Sequence, residues 1–182
     1  MRRLRGVPGE DFNVSDARGE FPKEFEIEPL ASPPDADITV PGSKSVTNRA
    51  LIISALADGE STLHNPLFSD DSFWLMKSLA DLGFKVEAEE NKVRLTGQRG
   101  IIPKSDIEVF VGNAGTVARF LPPMLALGGG SHRVDGAPRM RERPVADLVE
   151  AMRRLGGDVG YAGEEGKFPL LVRGGGIAGG HT

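Results

Sequence analysis

Residues 75–86 read LMKSLADLGFKV, and residues 148–159 read LVEAMRRLGGDV, which is the same pattern at an offset of 73 residues. In both copies apolar side chains recur at helical spacing. A glycine then follows, at the position where a helix commonly ends. A helix that ends in this way twice, at a fixed offset, indicates an internal duplication.

The elements on either side of these helices repeat as well. In each copy the sequence predicts a β-branched or apolar strand, an apolar helix, a short strand, the quoted helix and two closing strands. The predicted flanking ranges are 37–40, 45–57, 61–64, 86–88 and 92–95 in the first copy, and 107–111, 116–127, 131–134, 159–162 and 170–173 in the second. We therefore predict an α/β fold with two βαβαββ units, at residues 38–97 and 107–174. Residues 175–182 would begin a further unit.

Two neighbouring prolines interrupt the second apolar helix. Pro122 and Pro123 cannot donate backbone hydrogen bonds, so the sequence predicts that this helix is kinked or shortened there.

Composition narrows the class of protein. The chain has 182 residues, of which 39% are apolar and 26% charged, with a net charge of −4, which is typical of a globular domain and argues against nucleic acid or an anionic membrane as partner. No apolar run is long enough to span a bilayer. Residues 1–24 are expected to be a polar extension, since no apolar segment follows the basic start.

The content of cysteine and histidine bears on cofactors and location. The absence of cysteine excludes a disulfide scaffold, a thiolate nucleophile and cysteine zinc sites, and it fits a reducing cytoplasm. The three histidines have no metal-ligand spacing, so we expect no metal site.

The first cluster of residues that could bind a ligand is PGSKSVTNR at residues 41–49, between a predicted strand and a helix. Ser43 or Ser45 can cap the helix, whose N-terminus favours an anion. Lys44 adds a positive charge there, and the planar guanidinium of Arg49 suits phosphate or carboxylate. An ordinary capped helix with solvated basic residues explains the same pattern equally well.

The second cluster, GNAGTVAR at residues 112–119, repeats this design. A glycine-containing turn precedes a helix start, and an arginine lies in the first turns of the helix. Gly115 would let a ligand approach the backbone closely. The same arrangement of turn, helix start and arginine occurs in both units, which favours ligand binding over simple helix capping.

The third cluster is PRMRERP at residues 138–144, with three arginines in five residues. Prolines on both sides favour a rigid loop over a flexible one. A solvated loop is the alternative. Together the three clusters indicate a site for small ligands that carry several negative charges.

These clusters resemble the signature segments of the 5-enolpyruvylshikimate-3-phosphate (EPSP) synthases, in the same order and at similar spacing. The resemblance runs from about Phe25 to the end of the chain. It implies transfer of the enolpyruvyl group of phosphoenolpyruvate to the 5-hydroxyl of shikimate 3-phosphate, with no metal or organic cofactor. It also implies two domains, each of three βαβαββ units, so that residues 38–182 would be an incomplete domain and residues 25–37 a strand or linker of the other domain.

The resemblance also implies roles for single residues. Lys44 would be catalytic and contact both substrates, whereas Ser45 and Arg49 would bind shikimate 3-phosphate. Gly115 and Arg143 would bind phosphoenolpyruvate in a pocket that Asn113 also lines. Further candidates are Thr116, Arg119 and Arg139.

The sequence departs from the family in length and at one position of the second motif. Family members are more than twice as long, and their second domain supplies the general base. The expected partner is therefore the C-terminal part of the same enzyme, and the chain alone should be inactive and expose an uncovered helix face. Phe120 stands where many members have proline. Two alternatives are a UDP-N-acetylglucosamine enolpyruvyl transferase, which normally uses a cysteine in this region, and a non-catalytic anion-binding fragment.

Overall fold

The structure, a computed structural model, describes residues 37–182 together with residues 24, 32, 33 and 35. The other residues of the predicted extension and of the predicted strand or linker lie outside this part. The helices and strands are α1 (Lys44–Leu56), β1 (Asp58–His64), α2 (Asp70–Asp81), β2 (Lys85–Glu89), β3 (Lys92–Gln98), β4 (Glu108–Phe110), α3 (Val117–Leu127), β5 (Ser131–Asp135), α4 (Pro138–Arg141), α5 (Ala146–Arg154), β6 (Asp158–Tyr161) and β7 (Leu170–Arg173).

The strands form two sheets with matching topology. The first sheet has the order β1-β3-β2, with both pairs antiparallel. The second has the order β4-β5-β7-β6, where β5, β7 and β6 repeat the antiparallel arrangement of the first sheet and β4 pairs parallel with β5. The predicted α/β class is therefore confirmed.

The two quoted helices end in the same way. Gly83 follows α2 with φ of 96°, and Gly156 follows α5 with φ of 90°, a left-handed conformation that favours glycine. The amide of the next residue donates to the carbonyl of Leu79 at 3.0 Å in the first unit and of Met152 at 2.8 Å in the second. These hydrogen bonds are themselves 73 residues apart, which supports the duplication.

One hydrophobic core joins the two units. Helix α1 packs on β3, α3 packs on β7, and α1, α2 and α3 contact one another. Fully buried leucines come from both units, among them Leu51, Leu79, Leu121 and Leu170. Burying each such side chain stabilises the fold by about 1.5–3 kcal/mol. The helices of one unit thus hold those of the other, and the N-terminal ends of α1, α2 and α3 come together.

The strand predicted over residues 37–40 is not present. These residues form no strand, and the side chains of Ile38 and Val40 are 82% and 77% exposed. The equivalent segment of the second unit, β4, is a strand because it pairs with β5. A pattern of β-branched residues predicts a preference for extended backbone, but it does not predict which strand will pair with it. Among the described residues, none pairs with residues 37–40.

The prolines of α3 do not interrupt it. The helix runs from Val117 to Leu127 with Pro122 and Pro123 inside it. An interior proline costs about 3 kcal/mol or more. Leu121, Met124 and Leu125 on either side are buried, and their burial offsets that cost.

Part of the α1–α3 surface is an apolar groove of about 300 Å³. On its wall the side chain of Ile53 is 67% exposed and that of Leu127 is 47% exposed. This agrees with the expectation of an uncovered helix face. Within residues 37–182, the helices are all too short or too polar to cross a membrane.

Candidate functional site

A cleft of about 410 Å³ opens at the N-terminal ends of α1, α2 and α3. Helix N-termini carry partial positive charge and unpaired N–H groups, which favour anions. Three of the lining side chains are basic and one is acidic. The residues that line the cleft are Lys44, Asp71, Asn113, Gly115, Thr116, Arg119, Phe120 and Arg143.

Lys44 is placed by the start of α1. The Ser43 side chain caps this helix by accepting from the Val46 amide at 3.4 Å, so Lys44 is its first residue. The Lys44 side chain is half exposed, and its Nζ lies 3.6 Å from Oδ1 of Asp71. The ammonium group is therefore held at the cleft and remains accessible to a ligand.

The turn before α3 supplies the opposite wall. Arg119 Nη1 donates to the carbonyl of Gly115 at 3.1 Å, which fixes the arginine against its own turn. A side chain added at Gly115 would place its Cβ 2.9 Å from Nη1 of Arg143. Glycine at this position thus lets the Arg143 guanidinium lie close to the backbone of the turn.

The three arginines of the arginine-rich segment, residues 138–144, lie in different surroundings. Its first part forms the short helix α4, where the sequence predicts a loop. Arg141 Nε donates to Oδ1 of the buried Asp135 at 2.8 Å, whereas Arg139 is exposed and does not line the cleft. Arg143 follows α4 and lines the cleft. The Asp135–Arg141 pair anchors the segment from which Arg143 extends.

The charge of Asp135 contributes to stability in a pH-dependent way. Burial alone would raise the pKa of Asp135, but hydrogen bonds from Arg141 and the Gly136 amide outweigh it and hold the pKa below the usual value. Asp135 therefore stabilises the folded state above about pH 4, the unfolded-state range. This stabilisation is lost as the pH falls through the lower, folded-state pKa.

We expect Asp135→Asn to lower the free energy of unfolding by about 1–3 kcal/mol at neutral pH, because it removes the charge of a buried carboxylate that accepts hydrogen bonds from the half-exposed Arg141. The difference from wild type should shrink as the pH falls from about 5 to about 2. Urea unfolding across this range measures it. Asp158→Asn is the control, since Asp158 forms an exposed pair with Arg173 worth at most about 1 kcal/mol. A loss that stays constant with pH would contradict the role of the charge.

Arg49 and Ser45 do not line the cleft. The Arg49 guanidinium lies 5.9 Å from the ring centroid of Phe120 and lines the apolar groove between α1 and α3. Phe120 lines both spaces and separates them. Of the basic residues that the sequence assigns to one anion site, the structure brings Lys44 and Arg143 to the cleft. Arg49 does not join them, because its guanidinium lies against the Phe120 ring in the groove.

Two residues near the cleft were missed in the sequence. Asp71 lines the cleft from the first turn of α2. An acidic residue at this position is common, because it stabilises the positive end of the helix dipole. Trp74, the single tryptophan, packs its indole against Gly112, whose φ is 56°. Neither residue stands in a cluster with the basic side chains, so only the tertiary fold brings Asp71 to the cleft and Trp74 to the turn that contains Gly112.

We expect Gly112→Ala to destabilise the protein by about 2 kcal/mol or more. The left-handed φ of 56° costs about 1–2 kcal/mol for a residue with a Cβ, and the added Cβ would overlap the Trp74 indole. Thermal unfolding measures the loss, with Gly129→Ala as control because no atom lies near a Cβ there. Equal melting temperatures for the two variants would show that the turn is not constrained.

Comparison with known proteins identifies the family. The sequence model of EPSP synthase (3-phosphoshikimate 1-carboxyvinyltransferase) matches residues 31–182. The 3-phosphoshikimate 1-carboxyvinyltransferase of Nostoc sp. is 45% identical over 157 residues, which are 85% of this chain and 37% of that protein. The protein of the same name from Shewanella denitrificans is 44% identical over 161 residues, 87% of this chain and 37% of its own.

Solved structures agree with this match. EPSP synthase from Acinetobacter baumannii superimposes with a TM-score of 0.71 at 27% identity, covering 76% of this chain and 32% of that one. The enolpyruvyl transferase NikO of Streptomyces tendae, at 17% identity and a TM-score of 0.53, shares the fold. This chain spans about 37% of the length of the curated relatives, and it belongs to the EPSP synthase family.

Proposed function

We propose that this chain takes part, within a longer enzyme, in enolpyruvyl transfer from phosphoenolpyruvate to the 5-hydroxyl of shikimate 3-phosphate. The hydroxyl oxygen gains the enolpyruvyl group, its proton is released, and the bond from that group to phosphate breaks. The observation that carries the proposal is the cleft itself, where Lys44, Arg119 and Arg143 meet at three helix N-terminal ends.

The charges of the cleft suit these substrates. Each substrate carries a phosphate and a carboxylate, so two ligands bound side by side repel one another. We assign Lys44 to contact both, because an ammonium between two anions offsets that repulsion and stabilises charge that develops in the transition state. Gly115, Asn113 and Arg143 are assigned to phosphoenolpyruvate.

The shikimate 3-phosphate side is assigned to Ser45 and Arg49. Arg49 is exposed and stacks on Phe120, at the boundary between the cleft and the groove. A guanidinium at this boundary can turn toward a phosphate in the cleft and bind it through two parallel N–H groups. Thr116 and Arg119 are further candidates for binding the ligands. The location of the enzyme in the cytoplasm stays a prediction.

The test uses a fusion enzyme in which the 182-residue chain is followed by the part of the Nostoc sp. relative that lies beyond the matched residues. We expect phosphate release that requires both phosphoenolpyruvate and shikimate 3-phosphate. Release with UDP-N-acetylglucosamine in place of shikimate 3-phosphate would overturn the choice of acceptor. Binding of phosphoenolpyruvate without turnover on either acceptor would point to an anion-binding module.

A further inference from the structure

A chain of polar contacts at the cleft joins one unit to the other, through Asn48, Thr116, Asp71 and Lys44. Asn48 Nδ2, on α1, donates to Thr116 Oγ1 at 2.7 Å. The Thr116 hydroxyl, just before α3, donates to Oδ2 of Asp71 at 2.8 Å. The other carboxylate oxygen of Asp71 faces Lys44 Nζ at 3.6 Å. The contacts therefore link α1, α2 and the turn before α3.

The direction of each hydrogen bond follows from the groups involved. An amide nitrogen only donates and a carboxylate only accepts, so the Thr116 hydrogen is committed to Asp71. Asn48 is fully buried, and the Asp71 side chain is 17% exposed. Asp71 is thus anchored through one oxygen on the buried side, and its other oxygen points to the half-exposed Lys44.

We propose that Asp71 is a positioning residue, which holds the Lys44 ammonium at the mouth of the cleft and ties the turn of the second unit to the first. A carboxylate that merely lined an anion-binding cleft would repel the ligand. Here its oxygens already meet a hydroxyl and an ammonium, and it restricts the freedom of Lys44 before a ligand arrives. The identity of the ligand rests on the proposed function, whereas the contact between Asp71 and Lys44 is independent of it.

The first test measures the reactivity of Lys44 without any ligand. Asp71→Asn keeps an acceptor for the Thr116 hydroxyl and removes the charge that faces Lys44. We expect acetylation of Lys44 by acetic anhydride, followed by peptide mass spectrometry, to become about two- to fivefold faster, the range for a partly exposed ion pair. Lys77, paired with Asp81, is the internal reference whose rate should not change.

Matched variants separate position from net charge. Asp70→Asn removes the same charge from the neighbouring exposed residue of α2 and should leave the rate at Lys44 unchanged. Thr116→Val keeps the shape and removes the anchor of Asp71, so it should also raise the rate at Lys44. It serves as the second variant if Asp71→Asn fails to fold. An unchanged rate at Lys44 in the folded variants would overturn the proposal.

The second test is a double-mutant cycle on binding of phosphoenolpyruvate, followed by fluorescence of Trp74. Lys44→Ala should weaken binding about tenfold in the wild-type background and less than about threefold in the Asp71→Asn background. Equal effects in both backgrounds would show that Lys44 acts independently of Asp71. Absence of phosphoenolpyruvate binding by both the wild-type chain and the fusion enzyme would count against the proposed function, and the acetylation rates would still decide the role of Asp71.

Discussion

The 182-residue chain, purified by itself, is expected to form no detectable product from phosphoenolpyruvate and shikimate 3-phosphate. Lysine and arginine are protonated at neutral pH and cannot accept the proton of the attacking hydroxyl. Asp71, the acidic side chain among the described residues that line the cleft, already accepts from Thr116 and faces Lys44. The described residues that line the cleft therefore offer positive charge and position, but no free base.

The size of this effect follows from the general base and the closed site that the proposed longer enzyme would add. A positioned general base contributes about 10²–10⁴-fold, and exclusion of water from a closed site adds to it. The fusion enzyme is the positive control. Both proteins should be produced in a host strain without its own synthase, since trace contamination would mimic activity. Robust turnover by the chain alone would mean that the base lies within these 182 residues.

Lys44→Ala in the fusion enzyme is expected to lower kcat/KM by about 10²–10³-fold, the usual loss when one group that stabilises transition-state charge is removed. Both substrates depend on the same ammonium group in this account, so KM should rise for both and kcat should fall. Steady-state kinetics with each substrate varied in turn measures this.

The matched control for Lys44→Ala is Lys77→Ala. Lys77 lies on α2 in an ion pair with Asp81 and does not line the cleft, so its removal should change kcat/KM less than about twofold. A Lys44→Ala enzyme within about threefold of wild type would exclude the central role of this residue. A loss confined to the KM of one substrate would show that Lys44 binds that substrate alone.

The duplication could be predicted from the sequence because its signals are local. The helical spacing of residues 75–86 and the glycine at its end require only neighbouring residues, and the structure repeats both at residues 148–159. The strand predicted at residues 37–40 failed for the opposite reason. A strand exists only where another strand pairs with it, and the local pattern does not report that partner.

The site was predictable to the extent that its residues lie in motifs. Lys44, Gly115 and Arg143 stand in glycine-rich or arginine-rich turns next to helices, and the structure brings them to one cleft. The place of Arg49 depends on the Phe120 ring, which is a tertiary contact. Asp71 could not be assigned, because its role depends on side chains 27 and 45 residues away in sequence.

The most direct test of the account is a crystal structure of the fusion enzyme with phosphoenolpyruvate and shikimate 3-phosphate bound. We predict anionic oxygens of both ligands within hydrogen-bonding distance of Lys44 Nζ. Arg143 should contact phosphoenolpyruvate beside Gly115, and Arg49 should have turned from Phe120 toward shikimate 3-phosphate. Ligands bound elsewhere, with the cleft between Lys44 and Arg143 empty, would contradict it.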